Sequence, residues 1–303
     1  FVTKEAITNF INPSYENHIG DPFDIYGMEK AVNRILQAIK KKEKIAVYSD
    51  YDCDGVPGGV LLREFFDTIG YPVEMYIPHR HNEGYGVHNH AIDALKKKKV
   101  KLIITVDLAI TNIEEVAYAK TKGIDFIVTD HHLPIHNDEG KQAVPDAVAV
   151  LNSKQDVCTY EDDMLCGCAV AWKLACAVLS RLKTDESLGE VYTKARELPE
   201  GFEKWMLDLV GISTIADMVP LQKENRALAY FGLKVLKKTK RPGLLHIFNE
   251  QRVKKENLTE DDIAFTIAPR INAASRMGDP IQAHHMLYER DVEKAEEYAR
   301  DLE

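Results

Sequence analysis

The chain has 303 residues, 45% of them apolar and 29% charged, and a formal net charge of −9 at pH 7. That supplies apolar material for one large core or two ordinary ones, and it excludes a protein that grips phosphate backbones by overall positive charge. The longest apolar stretch, Cys168 to Leu179, is broken by Lys173 and is too short for a bilayer, and no basic-then-apolar leader opens the chain, so the reading is cytoplasmic with no membrane partner.

In chain order, residues 1–27 read as a short helical lead with turns at Asn12-Pro13 and Asp21-Pro22, followed by a helix from Met28 to about Lys41. From Lys44 to Asn152 apolar runs of β character alternate with helical periodicity. Lys44–Ser49 runs into Asp50-Tyr51-Asp52-Cys53-Asp54-Gly55, and Pro72–Pro78 into His79-Arg80-His81. Lys101–Val106 runs into Asp107, Ile124–Thr129 into Asp130-His131-His132, and Ala147–Asn152 makes a fifth run. This alternation predicts an α/β fold, a parallel sheet of about five strands flanked by helices. All strand C-termini then share one edge, where open α/β sheets bind their ligands.

After Asn152 nearly everything reads helical: Cys166 to Leu182, Glu203 to Ile212, Glu224 to Lys238, Glu260 to Ile267, and Val292 to the end. The expected organisation is a lead over 1–27, an α/β unit over 28–225 and a helical continuation over 226–303. The chain starts without Met and stops inside a charged helical pattern, so it reads as a piece of something longer. Five cysteines, Cys53, Cys158, Cys166, Cys168 and Cys176, are an odd number in a chain too large to need staples, and they are expected as buried thiols rather than disulfides or a zinc site. The basic runs Lys40–Lys44, Lys96–Lys101 and Lys237–Arg241 follow probable helices and are expected as solvated helix ends.

Asp50, Asp52 and Asp54 are spaced by two, and Gly55 permits a sharp turn into a helix whose early Pro57 suits a first turn. If the segment is extended, alternate residues share a face, and three carboxylates crowd one spot unless cations neutralise them. An EF-hand loop also begins D-x-D-x-D-G, but its twelfth position must be Glu and here it is Leu61. A dehalogenase-type phosphatase would use Asp52 as nucleophile, but it has no use for a His pair after a later strand. The remaining reading joins Asp107, Asp130-His131-His132 and Asp217 to the same loop, and oxygen ligands with one imidazole suit Mn²⁺ or Mg²⁺. Asp107 or Asp130 alone could be a helix N-cap.

With these residues in hand, the chain resembles the DHH phosphoesterase superfamily and, within it, the bacterial RecJ single-strand DNA exonucleases. The matching stretches are Asp50–Gly55, Pro78-His79-Arg80, Gly84-Tyr85-Gly86, Thr105-Val106-Asp107 and Thr129–His132. Leu165-Cys166-Gly167, Gly211–Asp217, Glu224-Asn225-Arg226 and Pro269–Gly278 follow in family order. The resemblance implies a two-metal phosphodiesterase that degrades single-stranded DNA from the 5′ end to 5′-mononucleotides in repair and recombination, with repair or replication proteins as further candidate partners. Its cofactor would be a pair of Mn²⁺ ions, with Mg²⁺ as the alternative. Asp52 and Asp107 would hold one ion and Asp54, Asp107, His131 and Asp217 the other. Asp50 would be a neighbouring catalytic carboxylate, and His132 would touch the scissile phosphate or protonate the leaving oxygen. Arg80, Asn272, Ser275 and Arg276 fall on motifs that hold the terminal phosphate. The same resemblance allows an oligonucleotide or cyclic-dinucleotide phosphodiesterase, or a weakened scaffold relative.

Two positions depart from the family pattern. Tyr48 stands where many members place a ligand His, and Leu108-Ala109 follows Asp107 where a polar or small residue and Gly are usual. Ala109 fits that turn only at negative φ. The second domain and oligonucleotide-binding barrel of the family's exonucleases are not recognisable in this sequence.

Overall fold

The computed structural model describes residues 3–137 and 139–302; residues 1, 2 and 303, the outermost of the expected lead and last helix, lie outside them. Five parallel strands form the sheet: β1 Lys44–Ser49, β2 Glu74–Tyr76, β3 Val100–Val106, β4 Asp125–Thr129 and β7 Ala149–Leu151, in the order β2-β1-β3-β4-β7. Val47 pairs with Met75 on one side and Ile104 on the other, Ile104 pairs with Ile127, and Val128 with Val150. The strand order reverses direction between β1 and β3, the position where open sheets of this kind leave a crevice. A two-stranded hairpin, β5 Ile135–His136 with β6 Gln142–Ala143, lies outside the sheet and was not expected.

The strands are apolar on both faces, as buried parallel strands must be. Ile45, Val47, Leu102, Ile104, Val106 and Ile127 enter the larger core, while Ala46, Tyr48, Ile103, Phe126 and Val128 enter a smaller one. The larger core is shared with helices 28–40, 55–68 and 167–182, and the smaller with helix 89–97. Helix 167–182 is buried nearly all round because the sheet and helices 28–40, 55–68 and 207–216 pack on it. Trp172 on this helix is 1% exposed and its indole donates to Glu203 O at 3.0 Å, so it is a core residue. The strand at Pro72–Pro78 is only three residues long, because neither flanking proline can donate to a ladder.

The remainder is helical, with differences from the expected boundaries. The helix expected over Glu203–Ile212 is two, Phe202–Trp205 and Leu207–Ala216. Helices Glu190–Glu197, Pro242–Glu250 and Ile281–Tyr288 were not expected. Glu260–Asp262 is a single capped turn that widens into a π-helical turn over Ile263–Ile267 before helix Ala268–Met277. Pro269 explains the widening: it offers no N–H to the preceding turn, and its ring crowds the carbonyl four residues back. Arg241, expected on a solvated helix end, is instead 4% exposed and fully hydrogen-bonded. All five cysteines are free thiols, and no helix among the described residues is long and apolar enough to cross a membrane.

Candidate metal centre

Three strand ends deliver the acidic residues to one place. The backbone N–H of Asp50 donates to Val106 O on β3 at 3.0 Å, that of Asp107 to Thr129 O on β4 at 2.9 Å, and that of Asp130 to Leu151 O on β7 at 3.1 Å. Each aspartate is thus fixed by the strand next to its own, which is how residues far apart in sequence acquire a common geometry.

The Asp50–Gly55 segment is not extended, so its carboxylates do not line one face as the spacing suggested. Asp52 Oδ1 accepts from the N–H groups of Asp54 at 2.8 Å and Gly55 at 3.0 Å, folding the loop into the helix start. Asp54 turns the other way and accepts from Gly167 N–H at 2.6 Å and Cys168 N–H at 2.8 Å, capping the neighbouring helix 167–182. Two glycines make this crowding possible. A Cβ on Gly55 would lie 2.6 Å from Asp50 Cβ, and one on Gly167 would lie 2.6 Å from Asp107 Cβ.

The outcome is three overlapping groups whose potential ligand atoms lie within 4.8 Å of one another: Asp50, Asp52 and Asp107; Asp54, His131 and Asp217; and Asp107, His131 and His132. His131 Nε2 lies 3.1 Å from Asp107 Oδ1 and 3.7 Å from both Asp54 Oδ2 and Asp217 Oδ2. Yet Asp50 Oδ1, Asp107 Oδ1 and both ring nitrogens of His131 are buried without a hydrogen bond. These atoms lie close together but satisfy none of one another's hydrogen-bonding capacity. Leaving them so is costly unless a cation completes them, so the residues fit a divalent metal.

Electrostatics agree with that fit. Burial first, and then the Asp52 charge, push the Asp50 carboxyl up to about 8. Burial and Asp54 push Asp217 up to about 7, and burial with Asp54 raises Asp107 well above the carboxylate range. Burial raises Asp54, although His131 opposes it, and burial lowers His131.

Asp130 plays a different part. It is fully buried, and its carboxylate accepts from the N–H groups of Ile110 at 2.8 Å, His131 at 2.7 Å and His132 at 3.1 Å. It also lies 2.8 Å from His132 Nδ1. No helix begins at Asp130, so it is not an N-cap; it anchors the turn after β4 and holds His132. Its hydrogen bond raises the His132 pKa, and Asp130 itself stays low despite burial because of these donors. His132 Nδ1 also lies 3.8 Å from Asp107 Oδ1, and the side chain is 46% exposed.

Other expected site residues scatter. Arg80 sits 5.1 Å over the Tyr51 ring, on the loop beyond β2. Arg276 is exposed, and its carbonyl lies 2.9 Å from His81 Nε2, which ties the Arg80 loop to helix 268–277. Ser275 is 0% exposed and its hydroxyl donates back to Asn272 O at 3.1 Å. Asn272 Oδ1 accepts from Cys53 N–H at 2.9 Å and is therefore turned toward the acidic loop. Tyr48 lies in the smaller core, stacked on Tyr76 at 4.7 Å, with its hydroxyl on Gly86 O at 3.2 Å; it supports the Gly84–Gly86 loop instead of supplying a ligand. Ala109 does adopt positive φ, at 93°, next to Asp107 at 63°, so the turn is strained by about 1–3 kcal/mol per residue.

Three further residues contribute, of which the sequence reading singles out only Tyr85, within the Gly84–Gly86 match. Tyr85 donates to Asp107 O at 3.2 Å and lies 3.2 Å from His132 Nδ1. Asn152 donates to His132 O at 2.8 Å and accepts from Lys154 N–H at 2.8 Å. The positive charge of Lys154 acts on both His131 and Asp217. Asn152 and Lys154 follow the fifth strand, so the edge rule that found the other ligands also pointed to them.

Compared with known families, residues 44–212 match the family model described as DHH family, N-terminal domain. The chain belongs to the DHH family. It is 38% identical over 303 residues to the single-stranded-DNA-specific exonuclease RecJ of Bacillus subtilis, covering all of this chain and 35% of that protein. It is 34% identical over 285 residues to RecJ of Haemophilus influenzae, covering 93% of this chain and 47% of that one. The chain thus spans less than half the length of these curated relatives. Among solved structures, exonuclease RecJ bound to manganese matches with a TM-score of 0.76 and 30% identity, over 92% of this DHH chain and 65% of the other. RecJ in complex with Mn²⁺ from Thermus thermophilus matches with a TM-score of 0.73 and 28% identity, over 92% and 37%.

Proposed function

We propose that this DHH chain is the metal-binding part of a two-metal phosphodiesterase, a 5′-to-3′ exonuclease that releases 5′-mononucleotides from single-stranded DNA in repair and recombination. The observation that carries this is the set of buried polar atoms on Asp50, Asp107 and His131 that lie together without hydrogen bonds. Asp52 and Asp107, with Asp50 beside them, would hold one ion, and Asp54, Asp107, His131 and Asp217 the other. We read the ions as Mn²⁺, with Mg²⁺ as the alternative, in keeping with the manganese-bound relatives. Such a pair supplies Lewis-acid polarisation of a phosphodiester and a hydroxide at neutral pH.

The chain's own residues do the rest. Asp130 holds His132 by Nδ1, and the half-exposed imidazole would contact the scissile phosphate or protonate the leaving oxygen. Arg80 and Arg276 offer forked donors suited to a terminal 5′ phosphate. The loop bearing one and the helix bearing the other are tied together through His81. In this reading residues 28–225 form the metal-binding unit, 226–303 a helical continuation of it, and the working place is the cytoplasm.

The test is degradation of 5′-labelled and 3′-labelled single strands with and without Mn²⁺. Metal-dependent release of mononucleotides from the 5′ end is expected. Release from the 3′ end, or hydrolysis confined to dinucleotides, would contradict the assignment.

A further inference from the structure

Cys53, between Asp52 and Asp54, is gripped from outside at both of its backbone polar groups. Cys53 N–H donates to Asn272 Oδ1 at 2.9 Å, and Cys53 O accepts from Ser213 Oγ at 3.1 Å. Ser213 lies on helix Leu207–Ala216, directly ahead of Asp217, and Asn272 lies on helix Ala268–Met277, which carries Arg276 near its end. Ser213 is 0% exposed and Cys53 2%, so water does not substitute at that face.

The carboxylates on either side are already committed. Asp52 Oδ1 closes the loop onto Asp54 and Gly55, and Asp54 caps Gly167 and Cys168. Two peptide units lie between them. The first carries Asp52 O, which accepts from Val56 N–H at 2.9 Å, and Cys53 N–H, held by Asn272. The second carries Cys53 O, held by Ser213, and Asp54 N–H, which closes onto Asp52 Oδ1. We propose that Asn272 is a positioning residue for the metal loop, holding the Asp52–Cys53 peptide unit, as Ser213 holds the next one, so that Asp52 and Asp54 each face their own group of ligands. The inference rests on the metal reading above and replaces the direct phosphate contact expected for Asn272, whose amide oxygen is turned inward.

Partners that orient metal ligands without touching the metal are generally worth about ten- to a hundredfold in metal affinity. The experiment is a calorimetric Mn²⁺ titration of the wild type, Asn272→Ala and Asn272→Asp, with cleavage rates on 5′-phosphorylated and 5′-hydroxyl strands measured alongside. Asn272→Ala should bind Mn²⁺ about tenfold or more weakly with its preference for phosphorylated ends unchanged. Asn272→Asp, which keeps the acceptor, should restore the affinity. If Asn272→Ala binds Mn²⁺ like wild type but loses the phosphate preference, Asn272 is a phosphate contact and the clamp is refuted. If wild type itself takes up no Mn²⁺, the metal reading fails first. Should Asn272→Ala not fold, Ser213→Ala removes the other grip and must show the same weakened Mn²⁺ binding.

Discussion

Arg241 and Asp107 are both charged and almost completely buried, at 4% and 2% exposure, yet their surroundings are opposite. Arg241 uses every N–H: on Asp208 at 2.7 and 3.2 Å, on Glu64 at 2.7 and 2.8 Å, and on Leu287 O at 2.9 Å. Arg290 pairs with the same Glu64, so that cluster is neutral and its hydrogen bonds are complete. Asp107 faces Asp54, Asp52 and Asp50, its Oδ1 has no donor, and its pKa is driven up by burial and by those charges. One cluster is a finished pin joining helices 55–68, 207–216 and 281–288. The other is deficient in positive charge, and the deficit marks where ligand chemistry belongs.

Substitutions should separate the two plans sharply. Asp107→Ala should abolish Mn²⁺-dependent hydrolysis while the metal-free protein melts no lower than wild type, because a buried carboxylate without donors is removed. Retained turnover in a nuclease assay would place the bridging role elsewhere. Arg241→Ala should do the reverse, costing about 3–5 kcal/mol in denaturant unfolding by stranding Asp208 and Glu64. The folded fraction should keep its Mn²⁺ affinity, and a loss below about 1 kcal/mol would show the pin to be ornamental.

The pH response sharpens the same contrast. Asp50 and Asp217 have folded pKa values raised to about 8 and about 7. A carboxyl raised by folding favours the native state when protonated, so its contribution is full below the ordinary carboxylate range and is lost as pH rises through the folded pKa. Metal-free protein should therefore become less stable through this upper window, which thermal melts between about pH 5 and 9 would record. Mn²⁺ affinity should run the other way, rising as those protons leave and levelling above about pH 8. A flat profile in both measurements would remove the charge deficit. The smallest effect is expected for Arg80→Ala, a drop of about tenfold in preference for 5′-phosphorylated over 5′-hydroxyl ends, read from relative cleavage rates.

The sheet was legible because runs such as Lys101–Val106 and Ile124–Thr129 are apolar, β-branched and bounded, and each ends within a residue or two of its expected limit. The convergence of Asp50, Asp107 and His131 followed from parallel topology alone. What stayed hidden depends on partners remote in sequence. Asp54 points where it does because Gly167 and Cys168 donate to it, and Asn272 turns inward because Cys53 offers an N–H. The burial of Ser275 was not legible because a motif position gives a residue type without telling which face of its helix is buried. Arg241 looked like the end of a basic run for the same reason, its carboxylates lying on two other helices.

The account stands most directly on where cations sit. Anomalous diffraction from crystals soaked in Mn²⁺ should give two peaks at the sheet edge, one among Asp50, Asp52 and Asp107 and one among Asp54, His131 and Asp217. No peak in that crevice, or manganese bound only at surface carboxylates, would contradict it.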